Sequence, residues 1–232
     1  MVNTATVIDS YQLLVKDRTA LTAYYRDRIG LAVITSGPHQ TILGVAGKPL
    51  LVLTDTQSAA ERKLAGLYHT AFLLPSGPAL GGILLHLLAT KTPLIGGADH
   101  GYSEALYLQD PEGNGIELYH DQPEEQWDRR PGSQIIGVTE ELDATHLIEG
   151  VVANPQLPTG TKIGHLHLQV SDLAASRHFY QDLLGLEVKA TLGTKAVFLA
   201  SGDYHHHVAL NTWAGPLAKR PLTAPGLRMA VL

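Results

Sequence analysis

Apolar and polar residues alternate through GHLHLQV (164–170). His165, His167 and Gln169 fall on one face of a strand, and Leu166, Leu168 and Val170 on the other. A polar face opposite an aliphatic one predicts a strand that seats one side on a packed core and lines a polar cup with the other. The same parity puts His69 with Ala71 and Leu73 in YHTAFLL, and Glu117 with Tyr119 in GIELY. Beyond 170 the period becomes helical. Ala174, Phe179, Leu183 and Leu184 predict an amphipathic helix over 173–183, stopped at Gly185.

This strand–turn–helix unit recurs. IDSYQLLVKDRTALTAYYRDRIGL (8–31) and IGHLHLQVSDLAASRHFYQDLLGL (163–186) are identical at nine of twenty-four positions without gaps. Strand-like stretches follow each: LAVITSG and TILGVAGKPLLVLTD in one, LEVKATLG, KAVFLAS and HHHVALNTW in the other. Another copy lies between them. GLYHTAFLLPSGPALGGILLHLLATKTPL (66–94) gives a strand, a turn and an apolar helix, and SEALYLQD and GIELYHD close it. The predicted class is therefore α+β, built from repeated βαβββ modules. Residues 122–161 are polar and rich in Pro and Gly, with IIGVTEELDATHLIEG able to add a strand and a helical turn. In chain order the expected division is 1–121 (modules one and two), a connecting segment 122–161, and 162–232 (module three and the opening of a fourth). GLRMAVL (226–232) aligns with GLYHTAF, and the sequence stops there, inside a predicted core strand. The expectation is a C-terminally truncated fourth module.

Composition narrows the function classes. The 232 residues are 44% hydrophobic and 17% charged, which predicts a packed core. The net charge is -5 and no basic run stands out, which argues against nucleic acid as a partner. The absence of cysteine excludes disulfides, thiolate catalysis and thiolate-ligated metals. No signal-like N-terminus and no apolar run near the ~20 residues of a membrane span is present. The expectation is a soluble, cytoplasmic protein that does not engage membranes. The twelve histidines stand out against this background.

DPEGNGIE at the close of the second module and GHLHLQVSDLAASRHFYQDLLGL opening the third resemble the vicinal oxygen chelate superfamily, the group of glyoxalase I, type I extradiol dioxygenases and bleomycin-resistance proteins. GADHGYSEALYLQDPEGNGIELY and GDYHHHVALNTWAG are similar to its catechol-2,3-dioxygenase-like branch. The resemblance covers nearly the whole chain. It implies that modules pair into cupped, barrel-like mixed sheets, with metal ligands on the first and last strands of the paired modules.

A carboxylate on an apolar strand needs a partner, because burying an unpaired charge is costly. Glu117 alone also reads as a surface carboxylate on an edge strand, and His69 alone as a hydrogen-bonded structural histidine. The resemblance places His69, Glu117 and His165 together on the superfamily's ligand positions. Two imidazoles and one carboxylate are the facial triad of non-haem Fe(II) oxygenases, and Mn(II) or Zn(II) suits the same donors. The position equivalent to His165 in module one is Ser10, and that equivalent to His69 in module four is Met229. Neither is an ordinary ligand here, so the expected site lies between modules two and three, with modules one and four pairing as scaffold.

The resemblance further assigns His206 as the acid–base histidine, with His207 a one-residue alternative, and Tyr107 and His100 as groups beside the substrate. A histidine suits this role because its ordinary pKa near 6.5 permits proton exchange at neutrality. The implied function is a metal-dependent extradiol dioxygenase of aromatic catabolism. Iron would be its metal, and a catechol-like aromatic and O2 its partners. Alternatives are a glyoxalase-type isomerase or lyase, and a small-molecule-binding resistance protein. HHHVALN offers no carboxylate for the fourth protein ligand common in glyoxalases, which favours the oxygenase. Self-association into a homo-oligomer is one way an incomplete module is completed.

Overall fold

The structure is a computed structural model that describes residues 6–58 and 64–232. The first module runs β1 (Ser10–Val15), α1 (Arg18–Tyr24) with a π-helical turn (Tyr25–Ile29), β2 (Ala32–Ser36), β3 (Gln40–Val45) and β4 (Lys48–Asp55). The second runs β5 (Gly66–Leu73), α2 (Gly77–Ala89), β6 (Gly96–Asp99), β7 (Ser103–Gln109) and β8 (Gly115–Asp121). The connection contains β9 (Asp128–Arg130), β10 (Gln134–Ile136), β11 (Glu140–Glu141) and α3 (Ala144–Ile148). The third module is β12 (Lys162–Gln169), α4 (Leu173–His178) with a π-helical turn (Phe179–Leu183), β13 (Glu187–Leu192), β14 (Ala196–Ala200) and β15 (Val208–Asn211). β16 (Gly226–Val231) follows.

The repeated Asp turns are helix caps. Asp17 accepts from the Ala20 N–H at 2.9 Å and Asp172 from the Ala175 N–H at 3.0 Å, which satisfies amide groups that have no partner inside the helix. Gly30 takes φ +91° after the first π-helical turn, where backbone of residues 155–157 approaches too closely for a Cβ.

Among the described residues the strands form two large sheets. One has the order β16-β1-β4-β3-β2, and the other β11-β6-β7-β8-β5-β12-β15-β14-β13. The second is a curled, cupped sheet in which modules two and three meet at the antiparallel β5–β12 seam. β16 pairs with β1 in the same antiparallel way and so joins the sheet of the first module. Segments 1–121 and 162–232 thus each send strands into both sheets.

Strand parity decides what each sheet face does. Phe72, Leu106, Leu108, Ile116, Leu118 and Leu166 are buried in one core with Leu13 and Leu53 of the first module and the apolar face of α2. Tyr11 and Phe72 bring the sheets into contact, their rings 6.2 Å apart. The alternate residues of β5, β7, β8 and β12 face the cup.

The DPEGN turn joins the modules. Asp110 accepts from the Glu112 and Asn114 amides and from the Tyr25 hydroxyl, and Glu112 accepts from the Lys16 and Asp17 amides. The helix expected over 173–183 forms, but Phe179, Leu183 and Leu184 are exposed. In module one the equivalent helix packs against α2. α4 packs on β14 and β15 of its own module.

Candidate metal centre

Register brings three polar side chains to one point. Ala71 of β5 pairs with Glu117 of β8 on one side and His165 of β12 on the other. His69 is two residues earlier on the same face of β5. The three side chains converge above Ala71. His69 Nε2 is 2.9 Å and His165 Nε2 3.1 Å from Glu117 Oε2, and the two nitrogens are 3.3 Å apart. All three residues are buried. Among the described residues, no Lys or Arg pairs with Glu117.

Burial alone would raise the Glu117 carboxyl, but the two facing imidazoles hold it well below the usual range. Burial pushes His165 down to about 4, against the pull of Glu117. At neutral pH Glu117 is therefore a carboxylate and His165 a neutral imidazole. Glu117 Oε2 can accept an N–H from either imidazole, but two N–H groups aimed at one oxygen with their nitrogens 3.3 Å apart crowd each other, so the bare cluster is poorly satisfied.

A divalent cation fits it better. Donors about 2.1 Å from one ion and at right angles stand about 3.0 Å apart. The observed separations of 2.9, 3.1 and 3.3 Å bracket that value. Three cis donors leave the other face of an octahedral ion open.

The open face looks into a cavity of about 650 Å³, a size that holds a small aromatic ligand. Tyr107 lines it, and its hydroxyl is 2.7 Å from His100 Nε2. His100 Nδ1 is 2.9 Å from the Val138 carbonyl and must donate there, so the Tyr107 hydroxyl donates to His100. The oxygen of Tyr107 then presents lone pairs to the cavity. His167 is held from behind by Asn211, whose Nδ2 donates to its Nε2 at 2.9 Å. The remaining N–H of His167 is its Nδ1.

The three consecutive histidines separate. His206 lines the cavity, with its ring 4.1 Å from that of His165. His205 sits behind it, and its Nδ1 lies 2.8 Å from His206 Nδ1. His207 turns away and accepts the Ser201 N–H on Nδ1 at 3.3 Å. Burial pushes His206 and His167 well below the ordinary histidine value.

Sequence reasoning did not place Trp213 and Val138 on the cavity wall. Trp213 follows the last strand of module three and packs on Tyr68 and His167. Val138 belongs to the connection, which reaches the cup because β11 pairs with β6. Neither segment carries a periodic signal.

A model of the glyoxalase/bleomycin resistance protein/dioxygenase superfamily matches residues 7–118 and 162–225. The chain belongs to that superfamily. It is 42% identical over 212 residues to a protein named catechol-2,3-dioxygenase from Bacillus subtilis (strain 168), covering 88% of this chain and 74% of that protein. The crystal structure of a Bacillus subtilis protein provisionally described as a dioxygenase superimposes with a TM-score of 0.66 at 16% identity, over 98% of this chain and 69% of that one. Glyoxalase I from Zea mays gives a TM-score of 0.53 at 16% identity, over 88% of this chain and 66% of that one. At these identities the structural likeness shows the fold. Among the described residues no helix is long and apolar enough to cross a membrane.

Proposed function

We propose that the chain is an extradiol dioxygenase, which holds Fe(II) on His69, Glu117 and His165 and opens a catechol-like ring beside its two hydroxyls with O2. The observation that carries this reading is the convergence of two imidazole nitrogens on one carboxylate oxygen at the floor of a cavity. It is supported by 42% identity to a protein named for that activity. Bound iron supplies open positions for the substrate's vicinal oxygens and O2, and a route for electrons between them.

The chain's own residues bind and orient the substrate and handle its protons. Tyr68 and Trp213, packed edge to face, give the cavity an aromatic wall on which a flat ring can rest. His206, close over His165, takes the proton of a catechol hydroxyl and returns it to an oxygen of the opening product. His167 offers a donor and Tyr107 an acceptor, which together fix the position of the ligand oxygens. Ala209, not a carboxylate, pairs with His167 on the last strand of module three, and among the described residues the donor cluster holds no fourth acidic ligand of the glyoxalase kind.

Anaerobically purified protein reloaded with Fe(II) and given catechol in air-saturated buffer tests the reading with an oxygen electrode. The expected result is one O2 consumed per catechol, with the absorbance of a ring-opened product. A metal-loaded protein that consumes no O2 with catechol or substituted catechols would remove the proposal and return the isomerase or binding readings.

A further inference from the structure

A row of polar side chains runs behind the cavity wall from the surface to His206. At its outer end is Asp121, the last residue of β8, with its side chain 22% exposed. Its carboxylate accepts the Tyr204 hydroxyl at 3.0 Å and faces His205 Nε2 at 3.0 Å. Because Tyr204 spends its proton on Asp121, Tyr119 donates the 2.7 Å hydrogen bond between the two tyrosines. His205 is buried and held between the rings of Tyr102 and Tyr204, with centroids 4.3 and 4.0 Å away. The row ends in the 2.8 Å contact between the Nδ1 atoms of His205 and His206. Among the described residues His206 Nε2 has no hydrogen-bond partner, and its ring lines the cavity.

Donors and acceptors assign the protons along this row. A carboxylate only accepts, so His205 Nε2 carries a hydrogen. Taking one N–H per ring, the arrangement that needs no added charge behind the cavity wall, leaves His205 Nδ1 bare. Two bare nitrogens do not approach to 2.8 Å, so the hydrogen between them belongs to His206 Nδ1. His206 Nε2 is then the bare nitrogen, on the cavity side.

We propose that Asp121 and His205 are positioning residues that fix His206 in the tautomer whose Nε2 is free to take a proton from a substrate hydroxyl. In that step the substrate O–H bond breaks and an N–H bond forms at His206 Nε2. The substrate keeps the electron pair as an oxyanion, and His206 becomes an imidazolium whose Nδ1–H stays on His205. The nature of the substrate rests on the dioxygenase reading, whereas the tautomer does not.

His205→Phe keeps a stacked ring between Tyr102 and Tyr204 and removes the acceptor. Asp121→Ala keeps His205 and removes the anchor at a partly exposed site. NMR of the full chain with ¹⁵N-labelled histidine reads which ring nitrogen of His206 is protonated, the signal being assigned with His206→Ala. The expected result is Nδ1–H in the wild type, with the proton moved wholly or partly to Nε2 in both variants. In turnover, His205→Phe should lower kcat about 10- to 100-fold, with KM and metal content close to wild type. It should add nothing to the loss caused by His206→Ala, because both act through one nitrogen.

A wild-type His206 protonated on Nε2 would overturn the proposal, as would a tautomer unmoved in both variants or losses that multiply in the double variant. Failure of the wild type to turn over any catechol would refute the dioxygenase reading and leave the nitrogen assignment as the test of the row.

Discussion

Ala71 is where the sheet and the donor cluster depend on each other most closely. It is fully buried, with Glu117 beside it on one strand and His165 on the other. Side chains directly opposite on neighbouring strands have Cβ atoms about 4.5–5.5 Å apart, so a larger residue here grows straight into the space below the donors. Carbon atoms need about 3.5–4.0 Å from their neighbours. The donor atoms stand only 2.9–3.3 Å from one another. Ala71→Leu adds three carbons that cannot be placed without pushing at least one donor aside. Overpacking of this kind costs about 1–3 kcal/mol, a fraction of the ~5–15 kcal/mol that holds a domain folded. The variant should therefore fold, with Tm lowered by about 2–12 °C. Metal sites tolerate displacements of only about 0.2 Å, so bound metal should fall close to zero. Phe72→Leu, one residue on and facing the opposite core, should lose about 1–2 kcal/mol and keep its metal. Thermal unfolding and elemental analysis of the two variants make the comparison. Ala71→Leu with a full complement of metal would refute the placement of the cluster above this strand.

Three further outcomes follow from the geometry. His206→Ala should lower turnover about 10²- to 10⁴-fold while metal content stays near wild type, measured by steady-state kinetics with elemental analysis; equal loss of both would make His206 a ligand or a structural residue. Tyr107→Phe removes the hydroxyl that donates to His100 and should lower kcat about tenfold without loss of metal; an unchanged kcat would put Tyr107 outside the reaction. His207 is pushed down to about 4 by burial, whereas an unfolded histidine titrates near 6.5, so the unfolded chain binds this proton first. Its contribution to stability is present above pH ~6.5 and is lost as pH falls toward 4, reaching up to about 2 kcal/mol by pH 5. Urea midpoints at pH 7 and pH 5 should differ less in His207→Gln than in the wild type, and equal differences would contradict this assignment.

The cup-facing residues were legible because strand parity is a local property. GHLHLQV and GIELY each identify their polar face by alternation alone, whereas His69 shares its face with Ala71 and Leu73 and was marked only by the resemblance. The meeting of modules two and three was legible through the resemblance, which marked the ligand positions; Ser10 and Met229 then left modules one and four without the residues carried by His165 and His69. The packing of the three consecutive histidines was not legible. They lie in a loop, where parity does not apply, and Asp121, Tyr102 and Tyr204 decide which ring faces inward. Val138 was hidden for a related reason: a polar, Pro- and Gly-rich segment carries no period, and the pairing of β11 with β6 and the hydrogen bonds between Val138 and His100 bring it to the cavity. The helix 173–183 shows the converse limit. Its pattern records an apolar face, but a pattern cannot name what that face packs against, and Phe179 and Leu183 remain exposed.

The most direct test is metal content, by elemental analysis of anaerobically purified protein, with wild type and His165→Ala side by side. A site shared by modules two and three predicts near-stoichiometric iron in the wild type and its loss on removing His165. No bound metal, or metal indifferent to His165, would contradict the shared site and with it the dioxygenase reading.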